Sequence, residues 1–220
     1  MKHRIALLAY LVACVFASYA HAENPTRFES EIAAFEAYDR QNASPRDPIL
    51  FVGSSSIRMW PTAESFPDLP VINRGFGGSH AAEVNHYADR IVLKYAPRTI
   101  VFYAGDNDIN DGKSPERVAD DFREFLALVH ARLPETRIVY LPIKPSVARW
   151  NKWPQMQATN ALVEEFTDTD PRLIYVDTAT PMLGSDGRPR SELLLGDGLH
   201  MNADGYKIWA DLVREKIASP

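Results

Sequence analysis

Five short runs of β-branched and aromatic residues punctuate the chain: PILFVGS (48–54), PVINRGF (70–76), TIVFYAG (99–105), RIVYLPI (137–143) and RLIYVDT (172–178). Each is continuously apolar rather than alternating, the pattern of a strand covered on both faces. Between the runs the apolar spacing changes to three and four residues. The clearest case is SPERVADDFREFLALVHARLP, where Val118, Phe122, Phe125, Leu126, Val129 and Leu133 share one helical stripe. Ser114-Pro115-Glu116 opens that stretch with a cap, a first-turn proline and a first-turn acid. Comparable stretches cover roughly 80–94, 155–168 and 203–217, and RFESEIAAFEAYDRQN precedes the first strand. Strands separated by helices are joined by crossovers, and crossovers make parallel sheets. The sequence therefore predicts an α/β fold: a three-layer α/β/α sandwich on a five-stranded parallel sheet, with residues 23–220 as a single domain free of repeats and linkers. Open sheets of this kind bind ligands at the carboxyl ends of their strands, so chemistry is expected in the loops after 54, 76, 105, 143 and 178.

The first 22 residues differ in kind. MKHR is basic, IALLAYLVACVFASYA is apolar, and Ala20-His21-Ala22 has the small-x-small pattern of a cleavage site. The expectation is an export signal removed after Ala22, giving a periplasmic or secreted protein. The apolar run is shorter than the ~20 residues of a spanning helix, so no stable membrane insertion is expected after its removal. Lipid attachment at Cys14 is the lesser alternative, because Val15-Phe16 is an unusual start for a lipoprotein. Cys14 is also the only cysteine, so export would leave no disulfide, thiol nucleophile or thiolate-bound zinc. The chain carries a formal charge of −5, and loss of Lys2 and Arg4 makes the remainder more acidic, which argues against nucleic acid as a partner. His80, His86, His130 and His200 remain as candidate bases.

Three hydroxyls, Ser54, Ser55 and Ser56, follow the first strand. Serine also serves turns and helix starts there, so the run alone does not announce a nucleophile. After the second strand, Gly75-Phe76-Gly77-Gly78-Ser79-His80 lets backbone amides approach a ligand, or simply makes a turn. It is not a dinucleotide fingerprint, because His80 occupies the position of the third glycine. After the third strand, Gly105-Asp106-Asn107-Asp108 is either a set of turn and helix-start residues or a loop that aims the Asn107 carboxamide at a developing negative charge. Ahead of the last helix, Asp197 and His200 are close enough for the carboxylate to hold one imidazole nitrogen while the other faces a substrate.

In that order the four signals resemble the GDSL or SGNH serine esterases and acylhydrolases, over about 150 residues. The resemblance implies a flavodoxin-like SGNH hydrolase fold and hydrolysis of carboxylic esters without a metal or organic cofactor. Carried over by position, Ser55 matches the nucleophile, Asp197 and His200 match the orienting acid and the base, and the Ser55 amide, the Gly78 amide and the Asn107 side chain match the oxyanion donors. Two positions depart from the family pattern: Ser54 and Ser79 stand where the family usually has aspartate. A shift of one residue would nominate Ser56 instead of Ser55. An imidazole ordinarily titrates near ~6.5 and suits the base role at neutral pH.

The expected substrate is a small-molecule or carbohydrate ester with a short acyl group such as acetyl. His80, Arg149 and Trp150 are candidate substrate-binding residues, the last two in the loop KPSVARWNKWPQM, which also presents Lys144 and Trp153. His86 and His130 fall within helical patterns as surface or packing residues. Other readings stay open at this point: a lipid-directed acylhydrolase, an acyltransferase with the same triad, and a binding module that kept the fold alone.

Overall fold

The computed structural model describes residues 26–218. The expected signal segment, Ala22 and Cys14 included, lies outside the described residues. Five strands, β1 (Ile49–Gly53), β2 (Val71–Gly75), β3 (Thr99–Tyr103), β4 (Arg137–Tyr140) and β5 (Leu173–Tyr175), form one sheet in the order β2-β1-β3-β4-β5. Every pairing is parallel. The helices are α1 (Glu29–Asp39), α2 (Ser55–Arg58), α3 (Thr62–Ser65), α4 (Ala81–Ile91), α5 (Asp106–Asn110), α6 (Pro115–His130), α7 (Trp153–Thr167) and α8 (Ala203–Ile217). Among the described residues no helix is long and apolar enough to cross a membrane.

The unbroken apolar character of the strands follows from the two cores. Leu50, Val52, Ile100, Phe102, Ile138 and Tyr140 face one layer, where they meet Ile32 of α1, Val84 and Ile91 of α4, Phe122 and Phe125 of α6 and Val163 of α7. The alternate residues Ile49, Phe51, Val101, Tyr103 and Val139 face the other layer and meet Ile57, Trp60, Phe66 and the α8 residues Trp209, Val213 and Ile217. A strand with both faces covered in this way gains from apolar side chains at every position. The fifth run is strand over only three residues and is half-buried. It lies at the sheet edge, and Asp177 ends it by accepting the amides of Ala179 and Thr180 at 3.1 and 2.9 Å.

Residues around α2 fix the start of that short helix. Trp60 packs edge-on against Phe51 of β1 and Trp209 of α8, with centroid separations of 5.3 and 5.6 Å. Asn73 of β2 donates through Nδ2 to the carbonyls of Ile57 and Trp60 at 2.7 and 3.2 Å, which satisfies groups that the helix end leaves open. Tyr206 of α8 donates its hydroxyl to the Ser56 carbonyl at 2.9 Å. A four-residue helix has little stability of its own, so its position is set by these tertiary contacts.

Candidate active site

The chain turns at Gly53, whose φ of +139° suits glycine, and a Cβ there would lie 1.8 Å from the Tyr103 carbonyl oxygen. That close approach lets the Ser54 amide donate to the same oxygen at 3.0 Å and starts α2 at Ser55. Ser54 and Ser56 are buried, whereas Ser55 is half-exposed. The Ser55 amide has no hydrogen-bond partner among the described residues.

The ends of β1, β2 and β3 lie side by side, with Gly53 in register with both Gly75 and Tyr103. The Phe76 amide donates to the Gly53 carbonyl at 2.9 Å and carries the next loop across. Gly78 is exposed with a φ of +80°, and its amide has no partner among the described residues. Asn107, in the first turn of α5, donates through Nδ2 to the Ser79 carbonyl at 3.0 Å, which ties the two loops together. Its neighbours have separate duties. Asp108 is buried and accepts the Ala81 amide at the start of α4, where burial raises its pKa against the pull of His80 and Lys113. Asp106 accepts Nη1 of Arg149 at 2.6 Å.

The fourth element is the loop before α8. Asn202 caps that helix by accepting the amides of Asp204 and Gly205 at 3.0 and 3.1 Å. The Leu195 amide donates to the His200 carbonyl at 2.7 Å, and the Gly198 carbonyl accepts the Ala148 amide at 3.0 Å. On this stapled loop His200 Nδ1 lies 2.6 Å from Asp197 Oδ2, and His200 Nε2 lies 3.0 Å from Ser55 Oγ. Asp197 also accepts the amides of Leu199 and His200 through Oδ1 at 2.9 and 3.0 Å. The bond to His200, followed by those two amides, holds the Asp197 carboxyl well below the usual carboxylate range. A carboxylate only accepts, so Nδ1 carries the ring proton, and in the neutral ring Nε2 is the nitrogen left to accept from the Ser55 hydroxyl.

The remaining sequence candidates are distributed as follows. Arg149 is turned inward onto Asp106 and Asn107. Trp150 stacks on Trp153 at 6.0 Å, within an apolar cluster that includes Ile143 and Met156. His80 is buried at the start of α4, with Nε2 2.9 Å from Asp111 Oδ2, so its ring is engaged by the fold. Lys144, expected on the ligand side of the sheet, is instead fully buried and donates Nζ to the Leu199 carbonyl at 2.5 Å. His86 is exposed on α4, and His130 pairs through Nε2 with the Thr136 carbonyl at 3.0 Å. The pairing of Asp106 with Arg149 has no expression in local sequence, because 43 residues separate the two.

The arrangement has the parts of an acyl-transfer site: a hydroxyl on a base, an acid behind the base, and two unpartnered amides and a carboxamide on the loops that leave the strand ends. Among the described residues no three His, Cys, Asp or Glu side chains are grouped to hold a metal ion.

Comparison with known proteins agrees with that architecture. The sequence model of the GDSL-like lipase/acylhydrolase family matches residues 58–208, a span that takes in Gly78, Asn107, Asp197 and His200 and begins just past Ser55. The platelet-activating factor acetylhydrolase IB subunit alpha1 of Pongo abelii is 27% identical over 164 residues, covering 72% of this chain and 70% of the relative. A GDSL-like lipase from Bacteroides thetaiotaomicron superposes with a TM-score of 0.71 at 20% identity, covering 89% of this chain and 97% of that one. A mutant of an acetyl-xylooligosaccharide esterase from Geobacillus superposes with a TM-score of 0.65 at 15% identity, covering 79% and 95%.

Proposed function

Since the chain belongs to the GDSL-like lipase/acylhydrolase family, enzymes that act on ester bonds, we propose that it is an exported serine esterase that removes a short acyl group, acetyl above all, from a carbohydrate or other small ester. The observation that carries the reading is His200 spanning the gap between Ser55 and Asp197. Ser55 Oγ attacks the ester carbonyl carbon while His200 Nε2 takes the hydroxyl proton, and Asp197 stabilises the imidazolium that results. The tetrahedral oxyanion receives hydrogen bonds from the Ser55 amide, the Gly78 amide and the Asn107 carboxamide. On collapse, His200 returns its proton to the departing alkoxide, leaving an acyl-enzyme. Water then attacks the acyl carbon with His200 as base, releasing the carboxylic acid and restoring Ser55.

The acetyl preference is supported by the names of two similar proteins, an acetylhydrolase among the sequence relatives and an acetyl-xylooligosaccharide esterase among the fold neighbours. Export is supported by the apolar segment ending in Ala20-His21-Ala22. The test is an irreversible fluorophosphonate followed by digestion and tandem mass spectrometry, run beside a series of nitrophenyl esters of rising acyl length. Label on Ser55 with fastest turnover of the acetyl ester is the expected result. A folded sample that takes no label, or takes it on Ser56, overturns the assignment of the nucleophile. The amino-terminal sequence of protein recovered from an exporting host tests cleavage after Ala22.

A further inference from the structure

The side-chain amide of Asn107 is pinned at both ends by groups that leave its orientation no freedom. The Ser79 carbonyl only accepts, so the atom 3.0 Å from it is Nδ2. A guanidinium only donates, so the atom 3.1 Å from Arg149 Nη1 is Oδ1. With the carboxamide fixed that way round, the second N–H of Nδ2 is the one left for a ligand. Turned over, Asn107 would present a carbonyl oxygen to a developing negative charge.

Arg149 is in turn immobilised. Its Nη1 also donates to Asp106 Oδ1 at 2.6 Å, and side-chain exposure is only 16% for Arg149 and 7% for Asp106. The other Asp106 oxygen faces Lys144 Nζ at 4.0 Å, and Lys144 donates to the carbonyl of Leu199, the residue before His200. One buried carboxylate is thus flanked by two cations, one leading to Asn107 and the other to the loop of His200. Placing two like charges around one aspartate is a poor way to stabilise a core, whereas it places donors rigidly.

We propose that Arg149 is a positioning residue of the oxyanion hole, fixing the Asn107 carboxamide with its N–H outward and polarising it from behind. This rests on the esterase reading, in which Asn107 is a donor to the oxyanion. Arg149 works through Asn107 and does not touch the substrate, so its contribution belongs to the transition state and appears in kcat rather than in KM.

The experiment is a double-mutant cycle on full-length processed protein, with a nitrophenyl acetate substrate and melting curves for every variant. Asn107→Ala is expected to lower kcat about 10²–10³-fold. Arg149→Met is expected to lower kcat by roughly 10–100-fold with KM changed less than about threefold, and Arg149→Lys to recover part of the loss. Asn107→Ala/Arg149→Met is expected to be no slower than Asn107→Ala within about threefold, because the arginine has nothing left to position. Losses that multiply in the double variant, a rise in KM with kcat unchanged, or wild-type kcat in Arg149→Met each overturn the proposal. If Arg149→Met fails to fold, Asp106→Ala replaces it in the same cycle, since it removes the oxygen that anchors the guanidinium. Wild-type kcat in Asn107→Ala would instead count against the oxyanion assignment on which the proposal rests, so the two failures are distinguishable.

Discussion

His200 Nε2 lies 3.0 Å from Ser55 Oγ although 145 residues separate the two in the chain. The contact depends on α2 and α8 being locked together, through Trp60 against Trp209 and through the Tyr206 hydroxyl on the Ser56 carbonyl. Ser56, beside the proposed nucleophile Ser55, therefore serves as scaffold. Ser55→Ala is expected to lower kcat by about 10⁴-fold or more, leaving the residual catalysis of the donors alone. Ser56→Ala keeps the backbone carbonyl that Tyr206 uses, so it should retain activity within about tenfold. Steady-state kinetics of the two variants decide the matter, and a dead Ser56→Ala beside an active Ser55→Ala would reverse the assignment.

The acid limb of the pH profile follows from Asp197. Hydrogen bonds from His200 and two backbone amides hold its carboxyl far below the usual range, so it stays ionised wherever the enzyme can be assayed. Asp197 therefore adds no proton of its own to the acid limb of the activity profile. Log kcat/KM plotted against pH should rise with a slope of one on that limb. A slope approaching two would mean that Asp197 titrates in the same range and that its hydrogen bonds do not protect it.

The layered fold was legible because strands buried on two faces must be apolar throughout, and β1 and β3 are buried at every residue. The run RLIYVDT is strand only over Leu173–Tyr175, because Asp177 turns the chain by accepting the amides of Ala179 and Thr180, a local turn signal that an apolar run does not display. Local spacing leaves the 75–80 glycine loop, Asn107 and the pair Asp197 and His200 open to a turn reading, and it is the resemblance to the GDSL or SGNH esterases that singles them out; the structure brings His200 between Asp197 and Ser55. What lay out of reach were the contacts that span the chain. From sequence Arg149 is a candidate substrate-binding residue and Lys144 a residue that the same loop presents, yet both turn inward because Asp106 and the Leu199 carbonyl await them from other loops. Such pairings arise from topology, and no window of sequence contains both partners.

Two glycines that look alike in sequence should behave differently on substitution. Both Gly53 and Gly78 have positive φ, so alanine is strained at either position, by about 1–2 kcal/mol. At Gly78 a methyl group meets open space, whereas at Gly53 it lies 1.8 Å from the Tyr103 carbonyl oxygen. Gly53→Ala must therefore push β1 from β3 at the point where Ser55 is launched, a change in the class of about 4–5 kcal/mol. Calorimetry should show Tm lowered by roughly 10–20 °C for Gly53→Ala and by no more than about 8 °C for Gly78→Ala. Equal shifts would show that the strand pair opens without cost.

Lys144 predicts a pH dependence of stability. Burial pushes its ammonium below the ordinary value of 10.5, with Asp106 pulling the other way. An amine with a depressed folded pKa binds fewer protons in the folded chain than in the unfolded one across the interval between the two values. Stability therefore rises with pH through that interval, and the penalty of the buried charge is felt in full below it. Lys144→Met removes the charge and with it this dependence, while keeping the length of the side chain. The Tm of the parent minus that of the variant should increase as pH climbs from 7 toward 10, whatever its sign at the start. A difference that stays flat over that range would mean that the Leu199 carbonyl and Asp106 compensate the buried ammonium in full.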